Sequence, residues 1–381
     1  MNLTITRERL AWLVQTASRP IPSRSTLPSI KGCLIETLSD RVVFSGTNLD
    51  WGVRVSAPAK VSSSGSLVVS SKLLEDIVRT LTLPEVTLSL DESAWALTVK
   101  SGTSEMVLNA VPADDFPKWP EVSGGRQISL ENDVFKELVK IGATSAVNNP
   151  ARPLWGACLI DIVGDEMIFV STDQFALSRA KTAVNMPEAR AIVPANVLLE
   201  IARLKDTEDS SEISLALSDN HLFFNSKNLS CFTRLIEGQY YAYQQVIPKS
   251  ISSSAKVSTA ELANAASRAS VLASEEDRAM RIILDKNQSA LVVKAGSPEK
   301  GKMQESLPAE ITGENIEIWV QHRYVLQALS KINSEETMLG MTGQVSPMLV
   351  EPVKAVKEEK SEESPIESTF VIMPMSPKGA F

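Results

Sequence analysis

The sequence has few of the residues that build catalytic or metal sites. It contains three cysteines and two histidines, and no H-E-x-x-H, C-x-x-C or G-x-x-x-x-G-K-[ST] string occurs in it. Cys33, Cys158 and Cys231 lie far apart in apolar stretches. We therefore expect small core residues in a reducing compartment, not disulfides or metal ligands, and no metal ion or cofactor.

A long apolar run and an excess of positive charge are also missing. No stretch approaches the roughly 20 apolar residues of a membrane span, and the start MNLTITRERLAW lacks the pattern of a secretion signal. The formal net charge of −8 argues against a protein that coats nucleic acid over its whole surface, although it leaves room for one basic face. We expect a cytoplasmic protein.

What the sequence does contain is an internal repeat. Its 381 residues exceed the size at which a single core stops growing. Three segments combine a short strand with an amphipathic helix: SLVVSSKLLEDIVRTL, RAIVPANVLLEIARLK and IEIWVQHRYVLQALSKI. Aligning Val69, Val193 and Val320 gives spacings of 124 and 127 residues, which is the size of one domain.

A second helix is predicted upstream in each repeat, because ITRERLAWLVQTAS, LENDVFKELVKIGATSA and VSTAELANAASRASVLAS carry apolar residues at helical spacing. In the other helix of the first repeat, the predicted apolar face comprises Leu73, Leu74, Ile77, Val78 and Leu81. Apolar runs joined by Ser-Asp, Gly-Asp or Lys-Asn predict hairpins. Each repeat is therefore predicted to be an α+β domain with two helices packed on an antiparallel sheet.

Linkers rich in Pro, Ser and Gly divide the repeats. PADDFPKWPEVSGG and VIPKSISSS predict domains at residues 1–122, 127–247 and 248–381. The charged, aromatic-free stretch EPVKAVKEEKSEESPIES predicts a disordered insertion at about 352–367. The apolar chain end FVIMPM is expected to form either an ordinary last strand or an adaptable binding surface.

Basic residues recur on the polar faces of the six predicted helices and in the loop after the first one. Two interpretations remain open. These residues either lie on ordinary solvated faces, or they share one positive surface that meets phosphates without reading bases.

Five further motifs occur in order along the chain: SRSTLPSIKGCLIE, PADDFPKWP, STDQFALSRA, LIEGQYYAYQQVIP and VIMPM. Together they resemble the bacterial DNA polymerase III beta subunit family, the sliding clamps, over essentially the whole length. The resemblance implies three clamp domains per chain and a head-to-tail homodimer that closes into a six-domain ring around double-stranded DNA. It implies a non-catalytic processivity factor that tethers the polymerase III alpha subunit, the clamp loader and other proteins with clamp-binding peptides.

The resemblance also implies three sets of site residues. Peptides are expected to bind a groove formed by Leu154, Thr172, Gln174, Phe175, Leu177, Tyr241, Val246, Val345, Met373, Pro374 and Met375. Sequence-independent contacts with DNA are expected from Arg24, Lys72, Lys136, Lys140, Arg152, Arg203, Lys205, Arg268 and Arg323. The dimer interface is expected at Met106 of one subunit and at Val271 and Leu272 of the other.

The predicted groove departs from the family pattern at its rim. The run Gln174-Phe175-Ala176-Leu177 stands where the family usually has Gly-His-Arg-Leu or Gly-Tyr-Arg-Leu. Tyr241 replaces a proline, and Ser376 replaces a basic residue. We therefore expect a groove that retains its apolar floor and lacks a fixed cation at its edge.

Two alternatives to a main processivity clamp remain. A specialised paralogue with an altered groove would share the fold and serve an accessory polymerase or tolerate a groove-binding inhibitor. An enzyme would need an acid and a base, for which Asp173, or Asp114 with Asp115, are the candidates. The simpler prediction for Asp173 is that its carboxylate makes turn hydrogen bonds.

Overall fold

The computed structural model of the protein describes residues 1–122, 126–206, 211–353 and 365–376. Within these ranges the chain forms six α-helices and 25 β-strands. The helices are α1 (Arg7–Ser18), α2 (Ser71–Thr80), α3 (Asn132–Gly142), α4 (Ala195–Arg203), α5 (Thr259–Leu272) and α6 (His322–Leu329). All six lie where the helical spacing of apolar residues predicted them.

The strands come in the groups that the repeats predicted. The first 13 are β1 (Asn2–Thr6), β2 (Gly32–Thr37), β3 (Arg41–Thr47), β4 (Trp51–Pro58), β5 (Lys60–Ser63), β6 (Ser66–Ser70), β7 (Glu85–Asp91), β8 (Ala96–Ser101), β9 (Ser104–Val111), β10 (Arg126–Glu131), β11 (Ala157–Val163), β12 (Glu166–Thr172) and β13 (Ala176–Ala183). The remainder are β14 (Ala189–Pro194), β15 (Glu212–Leu217), β16 (His221–Asn225), β17 (Leu229–Arg234), β18 (Ser253–Ser258), β19 (Ala279–Asp285), β20 (Ala290–Ser297), β21 (Gly301–Thr312), β22 (Ile316–Gln321), β23 (Glu336–Met341), β24 (Met348–Pro352) and β25 (Glu367–Ile372). Three short 3-10 turns are Pro28–Lys31, Pro153–Gly156 and Tyr243–Gln245.

Helix α1 shows how the sequence sets these elements. The Thr6 hydroxyl caps the N-terminus by accepting a hydrogen bond from the Arg9 amide at 3.4 Å. Leu10, Leu13 and Val14 follow at helical spacing and are fully buried. Burying each such side chain is worth about 1.5–3 kcal/mol of transfer free energy, so packing holds this helix in place.

Helix α2 corrects one prediction. Leu74 and Val78 are buried, as expected, and Leu81 is buried just after the helix. Leu73, which was predicted on the same face, is 54% exposed. Successive helical residues are about 100° apart, so Leu73 lies beside the stripe that Leu74 and Val78 define and faces away from the sheet.

The chain packs into two compact units. The first comprises Met1–Asp133 and Arg203–Leu235, and its sheet has the order β10-β15-β16-β17-β4-β3-β2-β6-β9-β8-β7-β1-β5. The second comprises Val134–Ala202 and Ile236–Phe381, and its sheet has the order β14-β11-β12-β13-β25-β24-β23-β18-β21-β20-β19-β22. The predicted α+β class with antiparallel sheets is confirmed.

The central repeat contributes strands to both sheets. In the first unit β17 pairs antiparallel with β4, and we call this pairing the first seam. In the second unit β13 pairs antiparallel with β25, which we call the second seam. Each sheet therefore continues from one repeat into the next. The units follow the sheets, whereas the boundaries 1–122, 127–247 and 248–381 follow the repeats and stay a prediction.

The predicted insertion lies between β24 and β25. Its residues 354–364 are outside the described part of the chain. Both ends of the predicted range, 352 and 367, lie in strands and not in a disordered segment, because Pro352 belongs to β24 and Glu367 begins β25. The two strands pair through Met348–Ile372, Leu349–Val371 and Val350–Phe370, which fixes their register.

Candidate functional site

The chain end is fixed beside the second seam. Beyond β25, the Met373 amide donates a hydrogen bond to the Phe175 carbonyl at 2.9 Å, and the Met375 amide donates to the Trp319 carbonyl at 2.9 Å. Pro374, which has no amide hydrogen, lies between these two anchored residues. Met373 to Met375 are half-buried and therefore form a positioned apolar wall.

A tight turn between β12 and β13 carries three of the predicted groove residues, Thr172, Gln174 and Phe175. The Thr172 hydroxyl accepts a hydrogen bond from the Gln174 amide at 3.1 Å and donates one to the Ala176 carbonyl at 2.7 Å. One carboxylate oxygen of Asp173 accepts from the amides of Phe175 and Ala176, both at 2.9 Å. The prediction that Asp173 makes turn hydrogen bonds is confirmed.

The turn is strained at Gln174, whose φ of 74° lies in the left-handed region. A residue other than glycine in this region costs on the order of 1 kcal/mol or more. The strain is overcome by the local hydrogen bonds of Thr172 and Asp173. As a result Gln174 and Phe175 point outward, and Phe175 remains 52% exposed.

The floor beside this turn is apolar. Leu177 is 2% exposed and belongs to a buried cluster against which Leu154 and Tyr241 pack. The other buried members of that cluster are Ala157, Leu159, Ile168, Val170, Ile192, Tyr240, Tyr243, Leu349 and Val371. Val246 and Val345 are 37% and 87% exposed. The Val246 amide bonds the carbonyl of Tyr243 in this cluster at 3.1 Å, so Val246 lies beside the floor, whereas the place of Val345 in the groove stays a prediction.

Arg152 lies beside the groove turn, although the sequence placed it among the residues that face DNA. Its guanidinium carbon is 4.4 Å from the centroid of the Trp155 ring, and the guanidinium donates to the Gln174 side-chain oxygen at 3.4 Å. Trp155 in turn meets the Phe175 ring edge to face, with centroids 6.5 Å apart. Sequence reasoning missed Trp155, although its neighbour Leu154 was predicted in the groove.

The other residues predicted to face DNA are divided between the units. The first unit holds Arg24, Lys72, Arg203 and Lys205, and the second holds Lys136, Lys140, Arg268 and Arg323. Lys140 pairs with Glu137 at 3.2 Å, and Arg268 pairs with Glu305 at 2.5 Å. The Lys140 pair is exposed and contributes little, whereas the Arg268 guanidinium makes two hydrogen bonds to Glu305, which hold it more firmly. A shared DNA-facing surface stays a prediction.

The residues predicted at the dimer interface differ in exposure. Val271 is 67% exposed at the end of α5, and Leu272 and Met106 are half-buried. On β9 the neighbouring Val107 is 62% exposed, because alternate residues of a strand point to opposite faces. Val107, which the sequence analysis did not name, is therefore the more exposed apolar side chain of the two, and the interface at Met106 stays a prediction.

Three features of the described residues bear on metal binding, on thiol reactivity and on membrane spanning. Over 1–122, 126–206, 211–353 and 365–376, no group of three or more His, Cys, Asp or Glu is placed to hold a metal ion. Cys33, Cys158 and Cys231 are free and buried, which confirms their prediction as core residues. Burial raises the pKa of the Cys158 thiol to about 12, so it stays a poor nucleophile at neutral pH. None of the described helices combines the length and apolar character of a membrane span.

Comparison with known proteins decides the family. Three family models match in order: DNA polymerase III beta subunit, N-terminal domain, at residues 1–120; central domain at 129–241; and C-terminal domain at 244–364. The chain belongs to the DNA polymerase III beta subunit family. This confirms the resemblance found in the five sequence motifs.

Full-length relatives agree with this assignment. The beta sliding clamp of Bacillus subtilis (strain 168) is 26% identical over 362 residues, which cover 92% of this chain and 95% of that protein. The beta sliding clamp of Streptomyces coelicolor is 28% identical over 391 residues and is covered completely, as is this chain. The crystal structure of a sliding clamp from Pseudomonas aeruginosa bound to griselimycin has a TM-score of 0.91 at 25% identity, covering 99% of this chain and 100% of that chain.

Proposed function

We propose that this protein is the processivity factor of a bacterial DNA polymerase III. Two copies close head to tail into a ring around double-stranded DNA, and the ring tethers polymerase without catalysing a reaction itself. The observation that carries the proposal is the match of all three beta subunit models in order along the chain. Among the interpretations left open by the sequence, this match favours the clamp.

A closed ring reconciles the acidic composition with a role on DNA. The net charge of −8 opposes tight binding to a polyanion, but a ring retains DNA by topology. Its interior then needs only weak, salt-dependent phosphate contacts that permit sliding. Exposed cations such as Arg24 and Lys140 are suited to such contacts, because neither is committed to a buried ion pair. The ring would act on the chromosome in the cytoplasm.

The groove at the second seam would bind the partner proteins. A short peptide with a leucine or phenylalanine anchor would pack on Leu177 and Leu154 and cover the exposed Val345. The Met373–Met375 wall would close one side of the bound anchor. Micromolar affinity corresponds to about −8 kcal/mol. The polymerase alpha subunit and the clamp loader are the expected owners of such peptides.

Topology provides the test of the ring. The protein is loaded onto nicked circular DNA by a clamp loader, and the DNA is then linearised. A ring slides off the free ends and stays on intact circles, so retention should depend on circularity and not on sequence. Equal retention on linear and circular DNA, or a sequence-specific footprint at physiological salt, would exclude a sliding ring.

Charge replacement tests the DNA-facing residues. Changing Lys136 and Lys140 together to Ala, or Arg24 to Ala, should lower retention on circles to the same degree for every DNA sequence. The salt dependence of retention should become shallower, because fewer counterions are released. Unchanged retention and an unchanged salt dependence would place the DNA-facing surface elsewhere.

A further inference from the structure

We propose that Asp173 and Tyr324 form a positioning pair through which helix α6 sets the shape of the peptide groove. The inference rests on the proposed function of that groove. Asp173 lies in the β12–β13 turn of the central repeat, and Tyr324 lies in the helix of the third repeat. Both belong to the second unit.

The pair is buried and directly bonded. Asp173 is 3% exposed and Tyr324 is 4% exposed. The Tyr324 hydroxyl donates to Asp173 Oδ2 at 2.6 Å. The other carboxylate oxygen, Oδ1, accepts the amides of the turn. A buried carboxylate needs donors for both oxygens, and Tyr324 provides the one that comes from outside the turn.

A cation strengthens this bond. The guanidinium of Arg323 donates to the Tyr324 hydroxyl, and its carbon lies 4.4 Å from the Tyr324 ring centroid. Arg323, Tyr324 and Asp173 therefore form a chain from cation through phenol to carboxylate, in which each bond polarises the next. Burial is the largest cause of a raised pKa for Tyr324, and the Asp173 carboxylate is the second. The hydroxyl therefore keeps its proton and remains a donor at neutral pH.

The bond reaches the wall of the groove through the turn. Asp173 fixes the amides of Phe175 and Ala176, and the carbonyl of Phe175 accepts the Met373 amide at 2.9 Å. A shift of Asp173 would therefore move both the outward-facing Phe175 and the Met373 wall. Phe175 and the Met373 wall, the two sides of the proposed anchor site, therefore depend on the same buried carboxylate.

The first repeat offers a natural contrast. Asn48 replaces the aspartate in the corresponding turn, and its side-chain oxygen accepts the amides of Asp50 and Trp51 at 3.0 and 2.9 Å. In the repeat alignment, α4 carries Val197 where α6 carries Tyr324. An asparagine or aspartate side chain is therefore enough to form the turn. The carboxylate of Asp173 and the phenol of Tyr324 occur together only in the turn at the second seam, of the two turns compared.

The test uses Tyr324→Phe in the full-length protein. Amide hydrogen exchange is followed by mass spectrometry over 172–177 and 373–375, and binding of a synthetic leucine-phenylalanine anchor peptide is followed by calorimetry. We expect at least tenfold faster exchange in both segments and at least tenfold weaker peptide binding, with the dimer retained. Thr337→Val is the matched control, because it also removes one buried hydroxyl of the second unit, and that hydroxyl bonds the Thr259 hydroxyl at 2.7 Å and makes no hydrogen bond to this turn.

A second variant keeps the proposal falsifiable if Tyr324→Phe folds poorly. Asp173→Asn retains an oxygen for the turn amides, in the manner of Asn48, and replaces the acceptor that faces Tyr324 with a donor. It should give the same changes to a smaller degree. Wild-type exchange in both segments of either folded variant overturns the positioning pair, whatever the peptide result. Failure of the wild-type protein to bind the peptide would instead overturn the proposed groove, while the exchange result still decides the positioning role.

Discussion

The two seams use the same turn for different purposes. In each turn the threonine hydroxyl, of Thr47 or Thr172, donates to the carbonyl four residues later, at 2.9 or 2.7 Å. Two residues after the threonine, Leu49 and Gln174 adopt left-handed φ values of 80° and 74°. The backbone scaffold of the groove therefore exists twice in the chain, so backbone geometry alone does not make a binding site.

The two seams differ in the side chains that fill them. Gly52 of the first seam corresponds to Leu177 of the second, and Phe232 corresponds to Val371. A Cβ added to Gly52 would lie 2.4 Å from the Phe232 ring. Trp119 packs edge-on against that ring with centroids 4.8 Å apart. Aromatic rings thus fill the first seam from within.

Little space remains at the first seam. A cavity of about 120 Å³ lies between Trp119, Phe232 and His221, and the Arg54 guanidinium covers the Trp119 ring at 4.6 Å. A cavity of this size is comparable to one small aromatic ring. The first seam is thus filled by aromatic rings of the chain itself, whereas at the second seam Leu177 and Val371 are buried and the neighbouring Phe175 stays 52% exposed, and it is there that we propose peptide binding.

The largest expected effect comes from removing the wall of the second seam. Deleting Met373 to Phe381 should abolish anchor-peptide binding, a loss of up to about 8 kcal/mol, because the wall and its bonds to Phe175 and Trp319 disappear. The dimer and most of the fold should persist, since β25 ends at Ile372. Calorimetry with the peptide and sedimentation of the variant measure the two properties separately.

A shorter truncation is the control for this deletion. Removing Pro377 to Phe381 leaves Met373 to Met375 in place and should retain binding. If that shorter truncation also abolishes binding, the anchored wall is not the element that matters. If the longer deletion binds normally, the groove lies elsewhere.

The second prediction concerns the predicted interface between two copies of the chain, at Met106 of one copy and at Val271 and Leu272 of the other. We expect this interface to be apolar and closely packed, like the first seam. Val271→Ala with Leu272→Ala removes side chains worth roughly 1.5–3 kcal/mol each when fully buried, so the protein should shift to monomer in sedimentation. Val163→Ala, at a valine that is 49% exposed on β11, should stay dimeric. An unchanged dimer in the double variant would place the interface elsewhere.

The third prediction fills the first seam further. Gly52→Ala should destabilise the protein by about 1–3 kcal/mol, because the added methyl meets the Phe232 ring in a packed environment. Gly156→Ala is the matched control, since its added Cβ has only ordinary contacts at 3.7 Å. Denaturant unfolding compares the two. Equal stability would show that Phe232 rotates away freely and that the first seam is not tightly packed.

Much of the fold was predictable because it rests on periodicity. The spacing of Leu10, Leu13 and Val14 predicted α1, and the same logic placed all six helices. The error at Leu73 arose because the burial of a residue at the margin of an apolar stripe depends on which elements pack beside it. The sequence does not show that packing. The shared turn was less predictable, since neither Leu49 nor Gln174 is a residue type that signals a left-handed conformation.

Contacts between distant segments escaped sequence reasoning at the site. Arg152 and Gln174 are 22 residues apart, and their meeting depends on how the Pro153–Gly156 turn packs beside β12. The bond between Asp173 and Tyr324 joins residues 151 positions apart. Neither pair carries a local motif, so only the folded sheet brings them together.

The smallest effect concerns the rim of the second seam, for which the sequence predicted no fixed cation. Arg152 now supplies one, because its guanidinium is held between Trp155 and Gln174. An acidic residue flanking the anchor peptide should therefore strengthen binding. The site is exposed, so the gain should be only about 0.2–1 kcal/mol, or up to about fivefold.

Calorimetry with acidic-flanked and neutral-flanked peptides measures this gain at low and moderate salt. The gain should shrink as salt screens the charges, and Arg152→Gln should remove it while leaving the neutral peptide's affinity nearly unchanged. Arg190→Gln is the control, because β14 lies three strands from β13, roughly 14 Å away and beyond the screening length of about 8 Å at physiological salt. A gain that survives Arg152→Gln would mean that another cation reaches the peptide. No gain in the wild-type protein would mean that Gln174 and Trp155 hold the guanidinium too firmly for it to meet the ligand.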